Sequence, residues 1–308
     1  MSSTKLNDPV KTVLITGGSG LVGTELSQLL TSAGYKVTHL SRNPTQKHYQ
    51  TFYWDVKKGE INDEAIISAD AIIHLAGAGV SDKRWSDAWK KEIYDSRINS
   101  TKLLREKVEK LNPGLKHFIS ASAIGYYGWD TGDKLVDEST EKGEGFLAHV
   151  VDDWEKEIDR FNSLNIKTSK VRIGIVLSEK GGALEEMAKP IRFGVGAPLG
   201  SGNQYMSWIH INDLCGIFAQ VLQNAEAGTF NGVAPNPETN KLFTKSVASQ
   251  LGKPLWLPNV PKFALRLIVG EMSDILVGGN RVSSKKIEEA GFNFQFAALD
   301  DALEDLLQ

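Results

Sequence analysis

Seven residues near the start of the chain have the composition and spacing of a phosphate-binding loop. The loop follows the apolar run at residues 13–15, with Thr16 between them. Its members are Gly17, Gly18, Ser19, Gly20, Leu21, Val22 and Gly23. Glycines let the backbone turn tightly and approach a pyrophosphate, whose charge is met by free N–H groups at a helix start. We predict a dinucleotide site at this glycine loop; the alternative is a turn that only packs a helix closely against a sheet.

Ser41 and Arg42 stand at the end of the next strand, where an NAD site usually has Asp or Glu to bind the ribose hydroxyls. An acidic side chain would repel the 2′-phosphate that distinguishes NADP from NAD, whereas a guanidinium and a hydroxyl bind it. We therefore predict NADP(H) as the cofactor. The alternative for Arg42 is a solvated side chain at the start of a loop.

Two further strand ends are candidates for the adenosine half of the cofactor. Asp55 follows a third strand and is either an acceptor for the adenine amino group or a simple turn residue. Leu75, Ala76 and Gly77 end the next strand, where small residues allow the ribose to lie against backbone.

The elements that position these residues follow a strand-helix alternation. Short β-branched runs predict strands at 12–16, 36–40, 71–75, 116–120 and 169–173, with a weaker one around Phe52. Longer patterns predict helices at 21–33, 86–111 and 146–164. Several strands are apolar throughout, which is typical of strands covered on both faces. The prediction is an α/β fold, a Rossmann-type doubly wound parallel sheet.

The pattern changes after about residue 174 to loops rich in Gly and Pro with shorter elements, which indicates a smaller substrate-side lobe towards the C-terminus. We expect a nucleotide-binding domain over residues 10–235, with substrate-side segments interleaved from about 175, and a small C-terminal domain over 236–308. Residues 208–213 have the pattern of a strand entering a helix, and this strand is a candidate to rejoin the main sheet.

Composition limits the classes of partner. The 308 residues are 41% hydrophobic and 24% charged, as in ordinary folded proteins, and the net charge of -3 favours neither nucleic acid nor an anionic membrane. The single Cys215 lies in an apolar run, which predicts a buried, inert thiol, and no metal-ligand spacing is present. We expect a cytoplasmic protein with a small-molecule substrate, without metal, nucleic-acid or membrane partners. The oligomeric state stays open.

Dispersed strings along essentially the whole chain resemble one branch of a known superfamily. Thr16 with the glycine loop is similar to the extended short-chain dehydrogenases/reductases. Further strings resemble their atypical, epimerase-like branch: Leu40-Ser41-Arg42, Tyr126-Tyr127-Gly128, Gly145-Phe146-Leu147-Ala148, Trp154-Glu155, Gly200-Ser201-Gly202, Ser207-Trp208-Ile209-His210, Asn231-Gly232-Val233-Ala234-Pro235 and Gly291-Phe292-x-Phe294. In that branch an epimerase/dehydratase domain binds NADP and precedes a small C-terminal domain of unassigned role.

The resemblance implies four more cofactor contacts. Glu92 and Arg97 occupy positions that the branch uses near the cofactor, although the sequence alone would make them solvated helix charges. Val176 is expected beside the nicotinamide. Ser120 is assigned to the cofactor as well, with a bond to backbone at the strand end as the alternative.

The resemblance also identifies a departure. Hydride-transfer members use a Tyr and a Lys four residues later on one helix, so that the lysine lowers the tyrosine pKa for proton exchange with substrate. Counting back from Glu155 places Leu147 and Val151 at those positions. Ser122 and Tyr127 are then the candidate catalytic residues, with a structural role as the alternative. His149 is a further candidate acid or base, or a solvated helix histidine.

Two functions fit these observations. The first is an NADP(H)-dependent oxidoreductase or epimerase with altered proton transfer, acting on a small molecule between the Rossmann domain and the lobe. The second is a non-catalytic NADP(H)-binding protein whose occupancy is sensed by a partner.

Overall fold

Fourteen strands and eleven α-helices are found in the computed structural model, which describes residues 10–44 and 48–307. The strands are β1 (Thr12–Thr16), β2 (Lys36–Ser41), β3 (Gln50–Asp55), β4 (Glu60–Ile61), β5 (Ala71–His74), β6 (His117–Ala123), β7 (Leu135–Val136), β8 (Lys167–Ile173), β9 (Ile175–Leu177), β10 (Tyr205–Met206), β11 (Trp208–His210), β12 (Gly228–Gly232), β13 (Glu238–Thr239) and β14 (Arg281–Val282). The helices are α1 (Leu21–Ser32), α2 (Asp63–Ile67), α3 (Asp87–Leu111), α4 (Phe146–Asp159), α5 (Ala183–Arg192), α6 (Ile211–Gln223), α7 (Asn240–Gln250), α8 (Lys262–Val269), α9 (Ser273–Val277), α10 (Lys285–Glu289) and α11 (Leu299–Leu307).

Eight of these strands form the main sheet, in the order β12-β8-β6-β5-β1-β2-β3-β4. All neighbours are parallel except β3 and β4. Two helix pairs, α1 with α6 and α3 with α4, flank the sheet. The predicted doubly wound parallel sheet is thereby confirmed, including the weaker strand around Phe52.

The topology creates a crevice beside the glycine loop. The chain runs outward from β1 through β2 to β3 and then returns to the other side of β1 as β5. Ligands of such sheets bind where the strand order reverses, beyond the carboxyl ends of the strands. The residues after β1, β5 and β6 therefore lie at the edge where a nucleotide is expected.

Local chemistry explains the ends of the three predicted helices. Gly34, with a φ of +89°, follows α1, a backbone conformation that side chains other than glycine rarely adopt. Ser86 caps α3 by accepting a hydrogen bond from the Trp89 N–H. Helix α4 ends at Asp159 and continues as a 3₁₀ turn over Arg160–Leu164, so the predicted helix end at residue 164 includes this turn.

The second half of the chain contributes to both the main sheet and a smaller lobe. Strand β11 pairs with β9 in a separate two-stranded sheet, and it is β12 that joins the main sheet beside β8. The strand at residues 208–213 therefore does not rejoin the main sheet. In the smaller lobe Leu184 and Trp208 share one apolar cluster with Phe243 and Leu303. The division at residue 235 stays a prediction.

Candidate functional site

The glycine loop connects β1 to α1 through close backbone contacts. Gly17 has a φ of +72°, and a Cβ there would lie 3.0 Å from the Ala76 nitrogen. A Cβ on Gly23 would lie 2.2 Å from the Gly17 carbonyl oxygen. Gly20 caps α1, and within residues 10–44 and 48–307 no side chain caps the first-turn N–H groups. These N–H groups at a helix start fit the charge of a pyrophosphate, so the loop fits the dinucleotide that the sequence predicts.

A buried histidine ties the ends of β1 and β5 together beside this loop. Thr16 Oγ1 accepts hydrogen bonds from the Leu75 and Ala76 N–H groups and lies 2.6 Å from His74 Nδ1. His74 Nε2 lies 3.0 Å from Ser100 Oγ. Complete burial lowers the pKa of His74 to about 3, so its imidazole is neutral at physiological pH. The contacts hold the strand end at residues 75–77 against the glycine loop.

Ser41 and Arg42 lie where β2 ends. Ser41 is the last residue of the strand, and its hydroxyl accepts a hydrogen bond from the Asn43 N–H. Arg42 is exposed and forms no ion pair with any residue of 10–44 or 48–307. Residues 45–47 lie outside the described residues. A guanidinium at this place is free to bind a phosphate.

Asp55 and Glu92, two of the candidate cofactor contacts, both bond to other residues of the protein. Asp55 Oδ1 accepts hydrogen bonds from the N–H groups of Lys57 and Lys58, which is the role of a turn residue. Glu92 forms an ion pair of 2.9 Å with Lys57, which is itself exposed. Lys57 contacts both carboxylates, Asp55 through its backbone N–H and Glu92 through its ammonium group. The adenine contact of Asp55 and the cofactor contact of Glu92 stay predictions.

Arg97 is half-buried, unlike the solvated helix charge that the sequence alone suggests. Its Nη1 donates to the carbonyl oxygens of Ala78 and Ile93, at 3.0 and 2.9 Å. The guanidinium also packs against Gly77. Burial lowers the pKa of Arg97 to about 10. Arg97 therefore holds the loop after β5 in place. The resemblance assigns a cofactor contact to this same residue.

Ser120 lies on β6, beside β8 in the main sheet, and Val176 lies on β9 in a separate two-stranded sheet. Ser120 is buried on β6, and its hydroxyl donates to the Ala121 carbonyl oxygen at 2.8 Å. This bond is the backbone role that the sequence leaves open as an alternative. Val176 is half-buried on β9, paired with Ile209, and packs against the main core. Neither contact tests the cofactor role of these residues.

Ser122 and Tyr127 belong to a buried ion-pair network. Arg172 on β8 donates Nε and Nη2 to the two carboxylate oxygens of Glu155 on α4, each at 2.8 Å. Ser122 Oγ donates to Glu155 Oε1 at 2.6 Å. Tyr127 OH accepts from Arg172 Nη1 at 3.0 Å and donates to Asn231 Oδ1 at 2.8 Å. We call Ser122, Tyr127, Glu155, Arg172 and Asn231 the ion-pair network.

Burial and the network act on the pKa of Tyr127 in opposite directions. Its ring is only 4% exposed, and burial raises the pKa of the phenol to about 12, against the opposing effect of Arg172. The hydroxyl proton is directed to Asn231. Ser122 is 3% exposed and directs its own proton to Glu155. Both candidate catalytic hydroxyls are thus occupied by neighbours in the protein.

Apolar side chains occupy the two positions to which the resemblance assigns a Tyr and a Lys. Leu147 and Val151 lie on α4 facing Gly125, whose Cβ would contact both side chains at 3.4 to 4.0 Å. Leu147 packs with a set of large side chains that we call the aromatic cluster. Its members are Val80, Trp85, Trp89, Ile93, Tyr94, Trp129, Phe146, Leu147, Val150, Met272 and Ile275.

The C-terminal segment covers part of the aromatic cluster. Met272 and Ile275, from the 3₁₀ turn Gly270–Met272 and from α9, pack on the tryptophans. Lys90 of α3 forms an ion pair with Glu271. A Cβ on Gly270 would lie 2.6 Å from Arg84 Nε, so these two parts of the chain are in close contact. The segment at residues 270–275 is thereby packed against α3 and the aromatic cluster.

His149 lies at the solvent side of α4. Its side chain is 65% exposed, and Nε2 is 3.5 Å from Asp153 Oδ2. Tyr94 donates to the same carboxylate oxygen at 3.0 Å and stacks on the His149 ring. The exposure matches the solvated helix histidine that the sequence allows.

The remaining candidates are a thiol, a metal and a membrane segment. Cys215 is buried, and burial raises the pKa of its thiol to about 12, as expected of an inert cysteine. Within residues 10–44 and 48–307, no three His, Cys, Asp or Glu side chains converge to hold a metal ion. In the same part of the chain, no helix is both long and apolar enough to span a membrane.

Several functional features are not evident in the sequence. Arg172 and Lys170 are buried on a strand covered on both faces. Buried charges require partners, so two basic residues in such a strand are a signal in the sequence for an ion pair. Their partner Glu155 comes from α4, which the sequence did not indicate. The contact of Met272 with the tryptophans has no signal in the sequence.

Comparisons with known proteins agree with this geometry. The family model of the NAD dependent epimerase/dehydratase family matches residues 13–146, and a model described as a domain of unknown function matches residues 260–306. The epimerase family protein YfhF of Bacillus subtilis (strain 168) is 36% identical over 298 residues, which are 96% of this chain and 97% of that protein.

Solved structures give the same result. Human epimerase family protein SDR39U1 (isoform 2), solved with NADPH, has a TM-score of 0.85 and 31% identity, covering 96% of this chain and 98% of that one. A nucleoside-diphosphate sugar epimerase from Corynebacterium glutamicum has a TM-score of 0.79 and 30% identity, covering 97% of this chain and 58% of that one.

Proposed function

This chain belongs to the epimerase family of nucleotide-binding proteins, and on that premise we propose that it binds NADP(H) and is an oxidoreductase or epimerase of an unidentified small molecule. The observation that carries the proposal is the glycine loop, with its uncapped helix start and with Arg42 rather than an acid at the end of β2. A homologue 31% identical over nearly the whole chain was solved with NADPH, which supports the same cofactor here.

Each part of the crevice has a role in holding the cofactor. The N–H groups at the start of α1 meet the pyrophosphate, and Ser41 and Arg42 meet the 2′-phosphate. The strand end at residues 75–77, braced by Arg97 and His74, supports the adenosine ribose. Val176 and Ser120 lie on the nicotinamide side. When bound, the cofactor supplies the hydride.

Proton transfer is the step in which this chain departs from its superfamily. Leu147 and Val151 exclude water and offer no proton. Tyr127, with a pKa of about 12 and a proton directed to Asn231, is a poor acid at neutral pH. We infer that hydride transfer proceeds without a Tyr-Lys pair and that Ser122 and Tyr127 act mainly through the ion-pair network. Their assignment as catalytic residues stays a prediction.

One observation favours the second function, a non-catalytic NADP(H)-binding protein. The hydroxyls of Ser122 and Tyr127 are both already used inside the protein. Such a site holds a cofactor without exchanging protons with a substrate. In that case the C-terminal segment is the element that would respond to the cofactor. Cofactor occupancy would set its position on the aromatic cluster.

Deuteride transfer separates the two functions. Protein is mixed with NADPH deuterated at C4 and with a panel of carbonyl compounds, conjugated acceptors and 4-keto nucleotide sugars, and the products are analysed by mass spectrometry. We expect deuterium in at least one product. NADPH binding without deuterium transfer to any compound would support the non-catalytic protein instead.

Two conservative variants then test the candidate catalytic residues. We expect Ser122→Ala and Tyr127→Phe to retain turnover within a few-fold and to lose stability, because their hydroxyls serve the ion-pair network. Loss of turnover with NADPH affinity and stability retained would make them catalytic residues.

A further inference from the structure

The aromatic cluster is a partly open apolar surface, because Trp89, Trp129, Phe146 and Leu147 are half-buried while Trp85 is only 8% exposed. Three tryptophans and a phenylalanine meet there: the Trp85 and Trp129 rings have centroids 6.3 Å apart, and Trp85 meets Phe146 edge to face at 5.3 Å. Leu147, at the position of the missing tyrosine, packs on the same cluster. Flat apolar surfaces of this kind bind aromatic and conjugated rings by stacking.

Polar substrates are poorly matched to this surface. A sugar carries many hydroxyls, and each one buried without a partner costs free energy. The aromatic cluster has a single hydroxyl, on Tyr94, and it already donates to Asp153. The surface therefore favours a ligand with a large apolar face and few hydrogen-bonding groups.

One donor within the cluster lacks a partner. Trp89 Nε1 is shielded from solvent and bonds to no acceptor among residues 10–44 and 48–307. Buried donors are almost always paired in folded proteins, so an unpaired one is a position at which a ligand oxygen fits. The donor limits the ligand to a ring system that carries at least one acceptor atom.

Two ammonium groups lie over the rings of the same cluster. Lys83 Nζ is 4.7 Å from the centroid of the Trp89 ring, and Lys90 Nζ is 5.8 Å from that of Trp85. Lys90 is already paired with Glu271, so Lys83 is the ammonium group left to act on a ligand. Its positive charge would stabilise an oxygen anion formed by hydride uptake, even without a proton donor.

From these observations, and resting on the proposed hydride transfer, we propose that the substrate is a quinone, a planar conjugated ring that stacks on the aromatic cluster and accepts a hydrogen bond from Trp89. An aliphatic ketone becomes a strongly basic alkoxide when it takes up hydride and needs an acid beside it. A quinone becomes a delocalised phenolate, which water protonates afterwards.

The reaction balances without any further reactant. The quinone gains one hydride, which carries two electrons, from NADPH and one proton from water. The products are the hydroquinone and NADP⁺. Because water supplies the proton, the reaction needs no acid at the positions of Leu147 and Val151.

Binding is tested before turnover. The protein saturated with NADP⁺, which cannot donate hydride, is titrated with 1,4-naphthoquinone by calorimetry. We expect saturable binding that Trp89→Phe weakens about tenfold, because the ring is kept and only the N–H donor is lost. Trp256→Phe is the control: Trp256 is 68% exposed, donates to the Gly194 carbonyl oxygen and lies outside the aromatic cluster, so its substitution leaves affinity unchanged.

Turnover then separates the failure of this inference from that of the proposed function. NADPH oxidation is followed with naphthoquinone, riboflavin, cyclohexanone and a 4-keto nucleotide sugar. Binding and reduction of naphthoquinone, both weakened by Trp89→Phe, support the inference. Reduction of riboflavin, cyclohexanone or the keto sugar without naphthoquinone binding overturns the quinone and keeps the proposed function. NADPH binding without oxidation by any acceptor overturns both the quinone and the proposed function. Equal weakening of naphthoquinone binding by Trp89→Phe and Trp256→Phe overturns the role of Trp89.

Discussion

The glycine loop and the aromatic cluster are built in different ways. The loop consists of consecutive residues whose backbone atoms touch each other, as Gly23 and Gly17 do. The aromatic cluster assembles Trp85, Trp129, Phe146 and Met272 from four separate segments of the chain. Backbone geometry maintains the glycine loop, whereas packing between distant segments of the chain maintains the aromatic cluster.

This difference indicates which of the two regions can change during evolution. A pyrophosphate is the same in every dinucleotide, so a local backbone motif suffices to bind it. A substrate surface is free to exchange its side chains, provided that the fold beneath it is held independently. Here Glu155 and Arg172 hold β8 to α4 beneath the substrate side, where related enzymes place catalytic groups nearby.

The largest effect is expected from breaking that ion pair. Arg172→Met leaves Glu155 buried with only Ser122 and Lys170, 3.7 Å away, as partners. We expect a loss of about 3–5 kcal/mol in the free energy of unfolding, measured by urea denaturation. The double variant Arg172→Met with Glu155→Leu should recover part of the loss, because no unpaired charge remains. Additive losses in the double variant would contradict a coupled pair.

A smaller effect is expected at the glycine loop. The Cβ of Gly23→Ala would lie 2.2 Å from the Gly17 oxygen, so the loop or α1 must shift. We expect NADPH affinity to fall about ten- to 100-fold by calorimetry. Gly114→Ala is the control, since its nearest neighbour would be Asn112 Oδ1 at 4.0 Å. Unchanged affinity in Gly23→Ala would show that the loop does not hold the cofactor.

Acid should destabilise the glycine-loop side through His74. Its folded pKa of about 3 lies below the ordinary value of 6.5, so the unfolded chain binds the proton first. The contribution to stability is complete above pH 6.5 and is lost progressively as the pH falls towards 3. Between pH 7 and pH 5 the loss is about 2 kcal/mol.

The measurement compares the pH dependence of urea unfolding in two variants. His74→Gln should be less stable at pH 7 and should lose about 2 kcal/mol less than the wild type on going to pH 5. Gly114→Ala, which changes no titratable group, should keep the wild-type slope. Equal slopes in the wild type and His74→Gln would mean that His74 is not neutral in the folded protein.

The same contrast explains what the sequence could predict. Strands such as β1 and the loop after it have local signals, namely an apolar run followed by spaced glycines. The exchange of Tyr and Lys for Leu147 and Val151 was also evident by counting along one helix. The burial of Arg97 was not, because it depends on carbonyl groups of residues 78 and 93 that only the folded chain brings to the guanidinium. Likewise, the partner of Arg172 lies 17 residues away on another element.

The most direct test of an NADP(H) site in this crevice uses the side chain that distinguishes NADP from NAD. Calorimetry gives the affinities of NADPH and NADH for the wild type, for Arg42→Ala and for Arg266→Ala, an exposed arginine on α8 that serves as control. We expect Arg42→Ala to weaken NADPH about tenfold or more and NADH less than twofold, because a charge-assisted hydrogen bond to the 2′-phosphate is lost. Equal weakening of both cofactors, or none, would contradict the assignment.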